Sequence, residues 1–497
     1  MGAVLAAAVG VVAACGWPTA AAWAQPGRSP SLPEPVRQAL AKARLPVDAL
    51  VVAAAPVDPQ APLALRVGAD KPVNPASVMK LVTTYAALDL LGPQFVWHTR
   101  FWVDGPVTDG LLRGNLYVQG GGDPKFVMER ITAALQQVQD AGIRVIHGDL
   151  VLDQSLYQVP PVDPSAFDGE RLRPYNATPE ALLVNFKSVI LNFEPSAAEG
   201  VARVSFEPPL AGVKVDATVH LSPTACGDWR SALQARFDSP DAIRFTGSFP
   251  ARCGTQTWPV AYVDPERYAA RALEGLWRAG GGLMTGSVRA GTVPASARLV
   301  VNAPSLPLSD IVADVNKFSN NVMAQQVFLT LGRVPAQGLD PQGQGIQELS
   351  GQGTFERSRA RVLQWWKDRW GTRVAAPVLD NGSGLSRHER ITAEGLVALL
   401  RDAAGRPAAG AVLARSLPVA GVDGTAKRMG ERGILQKALG NAQVKTGTLR
   451  DVVAVAGYVQ ARDGRPWAVA AIVNHPNAGQ ARPALDAVLE WVASQGR

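Results

Sequence analysis

Three short motifs carry side chains that can perform acyl transfer. The first is Ser77-Val78-Met79-Lys80. Serine and lysine three residues apart lie on one face of a helix, so the amine can approach the hydroxyl. A seryl oxygen becomes a nucleophile when a base takes its proton, and an amine kept neutral by burial or by a nearby cation can be that base. When the motif is taken alone, the alternative interpretation is a serine at the N-terminus of a helix, followed by a lysine on the protein surface.

The second motif, Ser319-Asn320-Asn321, falls inside a helix that the apolar periodicity predicts over 308–331. Polar residues within an amphipathic helix lower its helix propensity. These residues therefore either face solvent or serve a site, and the motif alone leaves both interpretations open.

The third motif, Lys445-Thr446-Gly447-Thr448, opens the strands predicted near the C-terminus. A glycine beside lysine and threonine at a sheet edge would let a peptide-like ligand lie close to the backbone, where the lysine can meet a carboxylate. A strand end with a turn glycine is the alternative.

The elements that must position these motifs form a mixed α/β pattern. Hydrophobic periodicity predicts helices over 34–44, 77–91, 125–141, 265–280, 308–331, 355–370, 392–403, 407–416 and 480–493. It predicts strands over 48–55, 62–66, 443–448, 452–460 and 466–473. The C-terminal meander closed by a helix indicates an antiparallel sheet covered by helices. Short β-rich runs fill 96–300, so the middle of the chain is predicted to be an insertion into a domain built from both ends.

Composition narrows the class of protein. The chain has 497 residues, too many for one ordinary core, and its 47% hydrophobic and 18% charged residues exclude a disordered chain or a coiled coil. The net charge is +7 but no Lys/Arg block is present, which argues against nucleic acid as a partner. Peripheral contact with a membrane surface or an anionic cell wall is compatible with this charge.

The N-terminal segment predicts export to the periplasm. Residues 1–24 are apolar, carry no charge and end in an A-x-A pattern at Ala24, which is typical of a signal peptide. The basic start of such a peptide is missing, so the true start could lie upstream. A lipobox-like run ending at Cys15 makes a lipoprotein the lesser alternative.

Cysteine and histidine usage points to a disulfide and to no metal. Cys226 and Cys253, 27 positions apart, are the two cysteines that remain after the signal segment. In an oxidising compartment such a pair is expected to form a disulfide, worth roughly 3 kcal/mol in the loop-entropy model. The five histidines are scattered, so we predict no zinc site.

In their order S-x-x-K, S-x-N and K-T-G, the three motifs resemble those of the class C low-molecular-mass penicillin-binding proteins, the D-alanyl-D-alanine carboxypeptidase/endopeptidases. The 242 residues from Ser77 to Ser319 are similar to that family's large insertion and exceed the interval of a compact β-lactamase. Further matching stretches lie at 120–124, 153–157 and 380–387. The resemblance implies an α/β (α+β) fold: a penicillin-binding/β-lactamase-like transpeptidase domain, with a β-rich insertion of one or two domains. The implied catalytic domain covers 25–95 and 301–497, inserted domain II covers 96–120 and 201–300, and inserted domain III covers 121–200.

The resemblance also implies an acyl-enzyme cycle that needs no metal and no organic cofactor. Ser77 would attack the carbonyl between two D-alanines or at a peptide cross-link, with Lys80 as the general base. Lys445 would keep Lys80 neutral by charge repulsion and would bind the substrate's terminal carboxylate, assisted by Thr446. The 380–387 stretch would shape the wall of the site.

Four further assignments follow from the same resemblance. Ser319 would pass a proton to the departing amine, and Asn321 would orient the substrate amide. Backbone N–H groups of Ser77 and Thr448 would form the oxyanion hole. Asp153, in the inserted region, would meet the amine end of the stem peptide's diamino acid; a surface aspartate in a turn is its alternative.

The implied partners are peptidoglycan peptides and β-lactams. Two rival functions remain: a serine β-lactamase, and a catalytically silent peptidoglycan-binding envelope protein. Sequence leaves open the oligomeric state and the balance of carboxypeptidase, endopeptidase and transpeptidase activity.

Overall fold

The computed structural model describes residues 32–335 and 349–496. Its helices are α1 (Glu34–Lys42), α2 (Lys80–Leu91), α3 (Met128–Asp140), α4 (Trp229–Ala232), α5 (Pro265–Ala279), α6 (Leu308–Phe318), α7 (Asn321–Leu331), α8 (Phe355–Trp370), α9 (Ala393–Ala404), α10 (Pro407–Ser416) and α11 (Arg482–Ala493). The predicted signal segment 1–24, with Cys15, lies outside the described residues.

Short strands alternate with these helices. They are β1 (Leu50–Pro56), β2 (Leu65–Val67), β3 (His98–Val103), β4 (Val107–Thr108), β5 (Leu111–Leu112), β6 (Leu116–Gln119), β7 (Val145–Ile146), β8 (Leu150–Asp153), β9 (Ser188–Ser196), β10 (Val201–Glu207), β11 (Lys214–Val215), β12 (Thr218–Ser222), β13 (Ala235–Ser239), β14 (Ala242–Phe245), β15 (Phe249–Pro250), β16 (Gln256–Ala261), β17 (Leu283–Met284), β18 (Val288–Ala290), β19 (Arg298–Pro304), β20 (Ala442–Leu449), β21 (Val452–Gln460) and β22 (Pro466–Asn474). Apart from the predicted helix 308–331, the predicted elements agree with these bounds to within about three residues.

The two ends of the chain build one antiparallel sheet in the order β2-β1-β22-β21-β20. Side chains of β21 alternate between its two faces, as the strand period of two requires. Ala454 and Ala456 join the core that contains α2 and α6 to α10, whereas Val453 and Val455 join the core that contains α1 and α11. Helices cover both faces of the sheet, and β20 remains at its edge.

The segment between α2 and α6 forms the β-rich insertion. One of its sheets has the order β18-β8-β6-β3-β19, and another has the order β15-β12-β10-β9-β16. A single hydrophobic core spans both, since it includes Phe101 and Val118 of the first sheet together with Phe193 and Phe249 of the second. No helix in the described part of the chain is both long and apolar enough to cross a membrane.

The inner boundaries predicted for the insertion, 120/121 and 200/201, do not follow the strand pairing and are corrected here. Strand β6 pairs with β8 across the first boundary, and the β9–β10 hairpin, with Ser196 opposite Val201, crosses the second. At the outer end, β19 pairs with β3 as far as Pro304, so the insertion extends beyond 300. The sequence did not reveal these boundaries, because the residues of a strand do not identify the distant strand with which it pairs.

Candidate active site

A tight turn presents Ser77 at the start of α2. Residues Ala76–Met79 form a 3₁₀ turn, and Ala76 has a left-handed φ of 48°. The side chain of Asn74 holds this strained residue by accepting a hydrogen bond of 2.8 Å from its N–H. One helical turn on, Nζ of Lys80 lies 3.1 Å from Oγ of Ser77. The predicted serine–lysine pair is therefore in hydrogen-bond contact.

Lys80 is completely buried and has neutral partners. Its amine donates to Oδ1 of Asn321 at 2.6 Å and to the carbonyl oxygen of Ser383. Burial lowers the pKa of Lys80 well below its ordinary value; the charge of Lys445 lowers it further, and that of Glu389 opposes the change. A lysine in this state can exist as the neutral amine that a general base requires.

The predicted helix 308–331 is in fact two helices, and the break lies at the second motif. Ser319 adopts a left-handed conformation (φ 57°, ψ 35°) and ends α6. Asn320 then caps α7, since its side chain accepts a hydrogen bond of 3.0 Å from N–H of Met323. The same short side chains that lower helix propensity thus terminate one helix and start the next. The break leaves Ser319 on the groove wall and Asn321 buried beside Lys80.

The inserted region reaches this site through Asn321. Its Oδ1 accepts from Lys80, and its Nδ2 donates a hydrogen bond of 3.2 Å to the carbonyl oxygen of Tyr175. Asp168 orders the segment that carries this carbonyl, because its carboxylate accepts from Oη of Tyr175 and Nδ2 of Asn176, each at 2.8 Å. A backbone carbonyl of the insertion therefore fixes the orientation of a catalytic-domain amide.

The third motif supplies a second buried lysine from β20. Nζ of Lys445 donates to Oγ of Ser319 and to the carbonyl oxygen of Thr446, each at 2.8 Å. Burial lowers the pKa of Lys445 to about 7. The Thr446 hydroxyl donates to that of Thr425 at 2.7 Å.

Gly447 allows close packing of two protein segments, and not the close approach of a ligand that the sequence predicted. The sequence predicted that its missing side chain makes room for a ligand. In the structure an added Cβ would lie 2.6 Å from the carbonyl oxygen of Pro75 and 3.2 Å from N of Ser77. Glycine is required because β20 packs directly on the turn Ala76–Met79, which carries Ser77.

Ser77, Ser319 and the strand residues Thr446, Gly447 and Thr448 line one groove of about 730 Å³. Charged side chains, including those of Arg428 and Arg482, also line this groove. A larger cavity, of about 1160 Å³, lies elsewhere and is lined by residues such as Leu88 and Arg369. The groove, and not the larger cavity, is where the three motifs meet.

Asp153 stands apart from this cluster. It ends β8 and is 3% exposed; its carboxylate accepts hydrogen bonds from N–H of Ser155 at 2.9 Å, N–H of Val293 at 3.1 Å and Nε2 of Gln119 at 3.3 Å. Burial alone would raise the pKa of Asp153, but these hydrogen bonds hold it below its ordinary value. The structure gives this carboxylate a local role in joining strands, and its contact with substrate stays a prediction.

Cys226 and Cys253 form a disulfide in the insertion, with Cα atoms 4.8 Å apart. Both half-cystines pack against the insertion core, away from the groove residues.

Three contributors to the site were not singled out from the sequence: the carbonyl of Tyr175, the hydroxyl of Thr425 and the carboxyl of Glu389. A backbone carbonyl has no sequence signature. Thr425 and Glu389 have no distinctive spacing from the three motifs, although Glu389 lies just beyond the recognised stretch 380–387.

The fold and the groove together define a penicillin-binding/β-lactamase-like protein with a large insertion. More specifically, the chain belongs to the D-Ala-D-Ala carboxypeptidase 3 (S13) family, whose model matches residues 32–495. The family resemblance and the fold class predicted from the motifs are thereby confirmed.

Individual relatives agree with this placement. The chain is 31% identical over 431 residues to a D-alanyl-D-alanine carboxypeptidase of Actinomadura sp. (strain R39), covering 82% of this chain and 74% of that protein. It is 25% identical over 405 residues to a D-alanyl-D-alanine carboxypeptidase of Haemophilus influenzae, covering 81% of each. Penicillin binding protein 4 of H. influenzae shares the fold, with a TM-score of 0.70 and 22% identity over 92% of this chain and 99% of that one. That protein has also been solved in complex with a β-lactam.

Proposed function

We propose that this protein is a serine D-Ala-D-Ala carboxypeptidase and DD-endopeptidase that acts on peptidoglycan stem peptides and cross-links through an acyl-enzyme, and that β-lactams inhibit it. The observation that carries the proposal is the 3.1 Å contact between Nζ of the buried Lys80 and Oγ of Ser77, at the head of the groove. Family membership supports the D-Ala-D-Ala substrate class.

In the first step Oγ of Ser77 attacks the carbonyl carbon of the scissile amide while Lys80 takes the hydroxyl proton. Backbone N–H groups of Ser77 and Thr448 stabilise the oxyanion, an effect worth roughly 3–4 kcal/mol per donor. The hydroxyl of Ser319, held by Lys445 at 2.8 Å, passes its proton to the departing nitrogen and regains one from Lys80, so Lys80 becomes neutral again. The C–N bond breaks, and the amine leaves with the C-terminal D-alanine or with the second strand of a cross-link.

The substrate's free carboxylate binds at the K-T-G strand. Thr446 lines the groove and supplies a hydroxyl, and the buried Lys445, in contact with Ser319 of the groove wall, supplies a cation. Lys80 then takes a proton from water, and the water oxygen attacks the carbonyl carbon of the acyl-enzyme. The ester bond to Oγ of Ser77 breaks, the shortened peptide leaves with a new carboxylate group, and Lys80 returns the proton to Oγ of Ser77. No step in this cycle needs a cofactor.

The test is covalent labelling with fluorescent penicillin. Wild-type protein should label with one adduct per chain, mapped by mass spectrometry to the Ser77 peptide, and Ser77→Ala should not label. Failure of the folded wild type to label would overturn the proposal and favour a silent binding protein. Fast hydrolysis of penicillin together with no cleavage of D-Ala-D-Ala peptides would identify a β-lactamase instead.

Digestion of purified muropeptides separates the two peptidase activities. Loss of a terminal D-alanine from uncross-linked peptides reports carboxypeptidase work, and conversion of dimers to monomers reports endopeptidase work. We expect both, because the groove volume of about 730 Å³ exceeds what a single D-alanine leaving group fills.

We also propose that the protein acts in the periplasm. The apolar segment 1–24 and the Cys226–Cys253 disulfide support this location. Cell fractionation followed by N-terminal sequencing should find the mature chain starting at Gln25; a lipid-modified Cys15 at the terminus would identify a lipoprotein.

A further inference from the structure

The carboxyl group of Glu389 is buried near Lys80, the first residue of α2. Glu389 is 0% exposed. Its Oε1 accepts hydrogen bonds from N–H of Gly382 at 2.8 Å and from N–H of Asp380 at 3.3 Å. Its Oε2 has no hydrogen-bond partner among the described residues. An unpaired buried carboxyl oxygen is costly, so its position needs an explanation.

The turn that Glu389 holds is part of the catalytic site. Between the two tethered N–H groups and Glu389 lies Ser383, whose carbonyl oxygen accepts a hydrogen bond from Lys80. The next residue, Gly384, packs on the nucleophile: an added Cβ would lie 2.0 Å from the carbonyl oxygen of Ala76 and 2.7 Å from Cα of Ser77. A shift of this turn would therefore move both the base and the nucleophile.

Charge gives Glu389 a second link to Lys80. The oxygens that accept from Lys80 all belong to neutral groups, and the neighbouring charge of Lys445 repels a proton on it. Glu389 is the carboxyl whose charge acts in the opposite sense on Lys80. The groups that face Glu389 are Lys80 from α2 and Asp380 from its own turn. Burial raises the pKa of Glu389 to about 7, so the carboxyl is mostly anionic above that pH.

We infer that Glu389 is a positioning residue for the general base: it fixes the turn that presents the Ser383 carbonyl to Lys80, and its carboxylate stabilises the buried ammonium that forms when Lys80 accepts a proton. This inference rests on the proposed function. When Lys80 takes the Ser77 proton it becomes a buried cation beside Lys445, and an anionic Glu389 stabilises that state. The proton then leaves Lys80 towards the departing nitrogen, and the pair returns to its starting charge.

The experiment measures the second-order rate of penicillin acylation against pH for wild type and Glu389→Gln. Glutamine keeps an oxygen that accepts from Gly382 and Asp380 but removes the charge. Without the anion Lys80 loses its proton at lower pH, so the acid limb of the profile should move down by roughly 0.5–1 pH unit. The weaker base should lower the plateau by roughly twofold to tenfold, since the rate follows the basicity of the general base.

Two variants complete the design. Glu394→Gln makes the same charge change at a carboxylate that pairs with Arg66 on the surface, and should leave the profile unchanged. Glu389→Asp keeps a charge but withdraws it by one methylene; it should fold, as judged by its melting temperature, with a smaller downward shift of the acid limb.

The outcomes are separable. If wild type acylates and Glu389→Gln has the same acid limb, the inference fails while the proposed function stands. If Glu389→Gln does not fold, the Glu389→Asp profile decides, and an unshifted limb overturns the inference. If the wild type does not acylate, the proposed function itself fails.

Discussion

Nζ of Lys445 lies 2.8 Å from Oγ of Ser319, although 126 residues separate them in the chain. Lys445 comes from the edge strand of the sheet, and Ser319 from the left-handed break between α6 and α7. This contact joins the second motif to the third, as the contact of Lys80 with Asn321 joins the first to the second. Two lysine amines with neutral partners thus connect three distant segments in one groove.

Replacing Lys445 by alanine should weaken substrates that carry a free carboxylate. Loss of a hydrogen-bonded charge pair is worth about 1.5–3 kcal/mol, so we expect KM for D-Ala-D-Ala peptides to rise roughly tenfold to a hundredfold. KM for peptides amidated at the C-terminus should change far less, whereas kcat should fall for both kinds of peptide because Lys445 also holds Ser319. Lys437→Ala, an exposed lysine that contacts Ser494, is the control. An equal rise in KM for peptides with a free and with an amidated C-terminus would contradict the role assigned to Lys445.

The same lysine predicts a pH dependence for wild type. The pKa of Lys445 is lowered by burial to about 7, so the amine is a cation below that pH and becomes neutral above it. A cation is needed to attract the carboxylate; KM for free-carboxylate peptides should therefore rise above about pH 7. Steady-state kinetics on an amidated peptide should show no such rise, and a parallel rise there would assign the effect to another group.

Ser319→Ala should slow acylation without unfolding the protein. Alanine can occupy the same backbone position but removes the hydroxyl that contacts Lys445, and loss of a general acid typically costs about a hundredfold or more. Stopped-flow acylation by penicillin measures this. Ser309→Ala in α6, whose hydroxyl contacts only the adjacent Asp310, should be unaffected. A wild-type rate in Ser319→Ala would remove this hydroxyl from the mechanism.

Gly447→Ala should disturb the nucleophile turn. The added Cβ would lie 2.6 Å from the carbonyl oxygen of Pro75, so β20 or the turn must move, at a cost of about 1–3 kcal/mol. We expect a lower melting temperature and slower labelling of Ser77. Gly479→Ala makes the same change where the nearest atom, in Arg482, is 4.0 Å away. Wild-type stability and labelling in Gly447→Ala would show that the close approach is unimportant.

Replacing both Cys226 and Cys253 by serine should lower the stability of the insertion without abolishing the labelling of Ser77. A cross-link over 27 residues contributes roughly 3 kcal/mol, so unfolding of the insertion should occur at lower denaturant concentration. Penicillin labelling of Ser77 should persist at 25 °C, because the disulfide packs against the insertion core. Loss of labelling in the folded double variant would reveal coupling between the insertion core and the groove.

The sequence predicted which residues meet in the groove, but it did not predict how the backbone arranges them there. The serine, the lysines and the S-x-N motif could be named because their chemistry restricts residue type. The break at Ser319 was missed, since apolar residues on both sides keep the same helical period. The insertion's inner boundaries were misplaced because pairing between β6 and β8 depends on contacts that the local sequence does not encode.

The amino-acid sequence by itself determined the α/β class and the order of the three motifs that carry the proposed reaction groups, because side-chain chemistry and hydrophobic period are local properties. Tertiary structure alone decided that Lys80 and Lys445 are fully buried, that Tyr175 of the insertion holds Asn321, and that Glu389 lies behind the base. Burial and proximity arise when segments hundreds of residues apart pack together. The pKa values on which the chemistry depends are set by that packing.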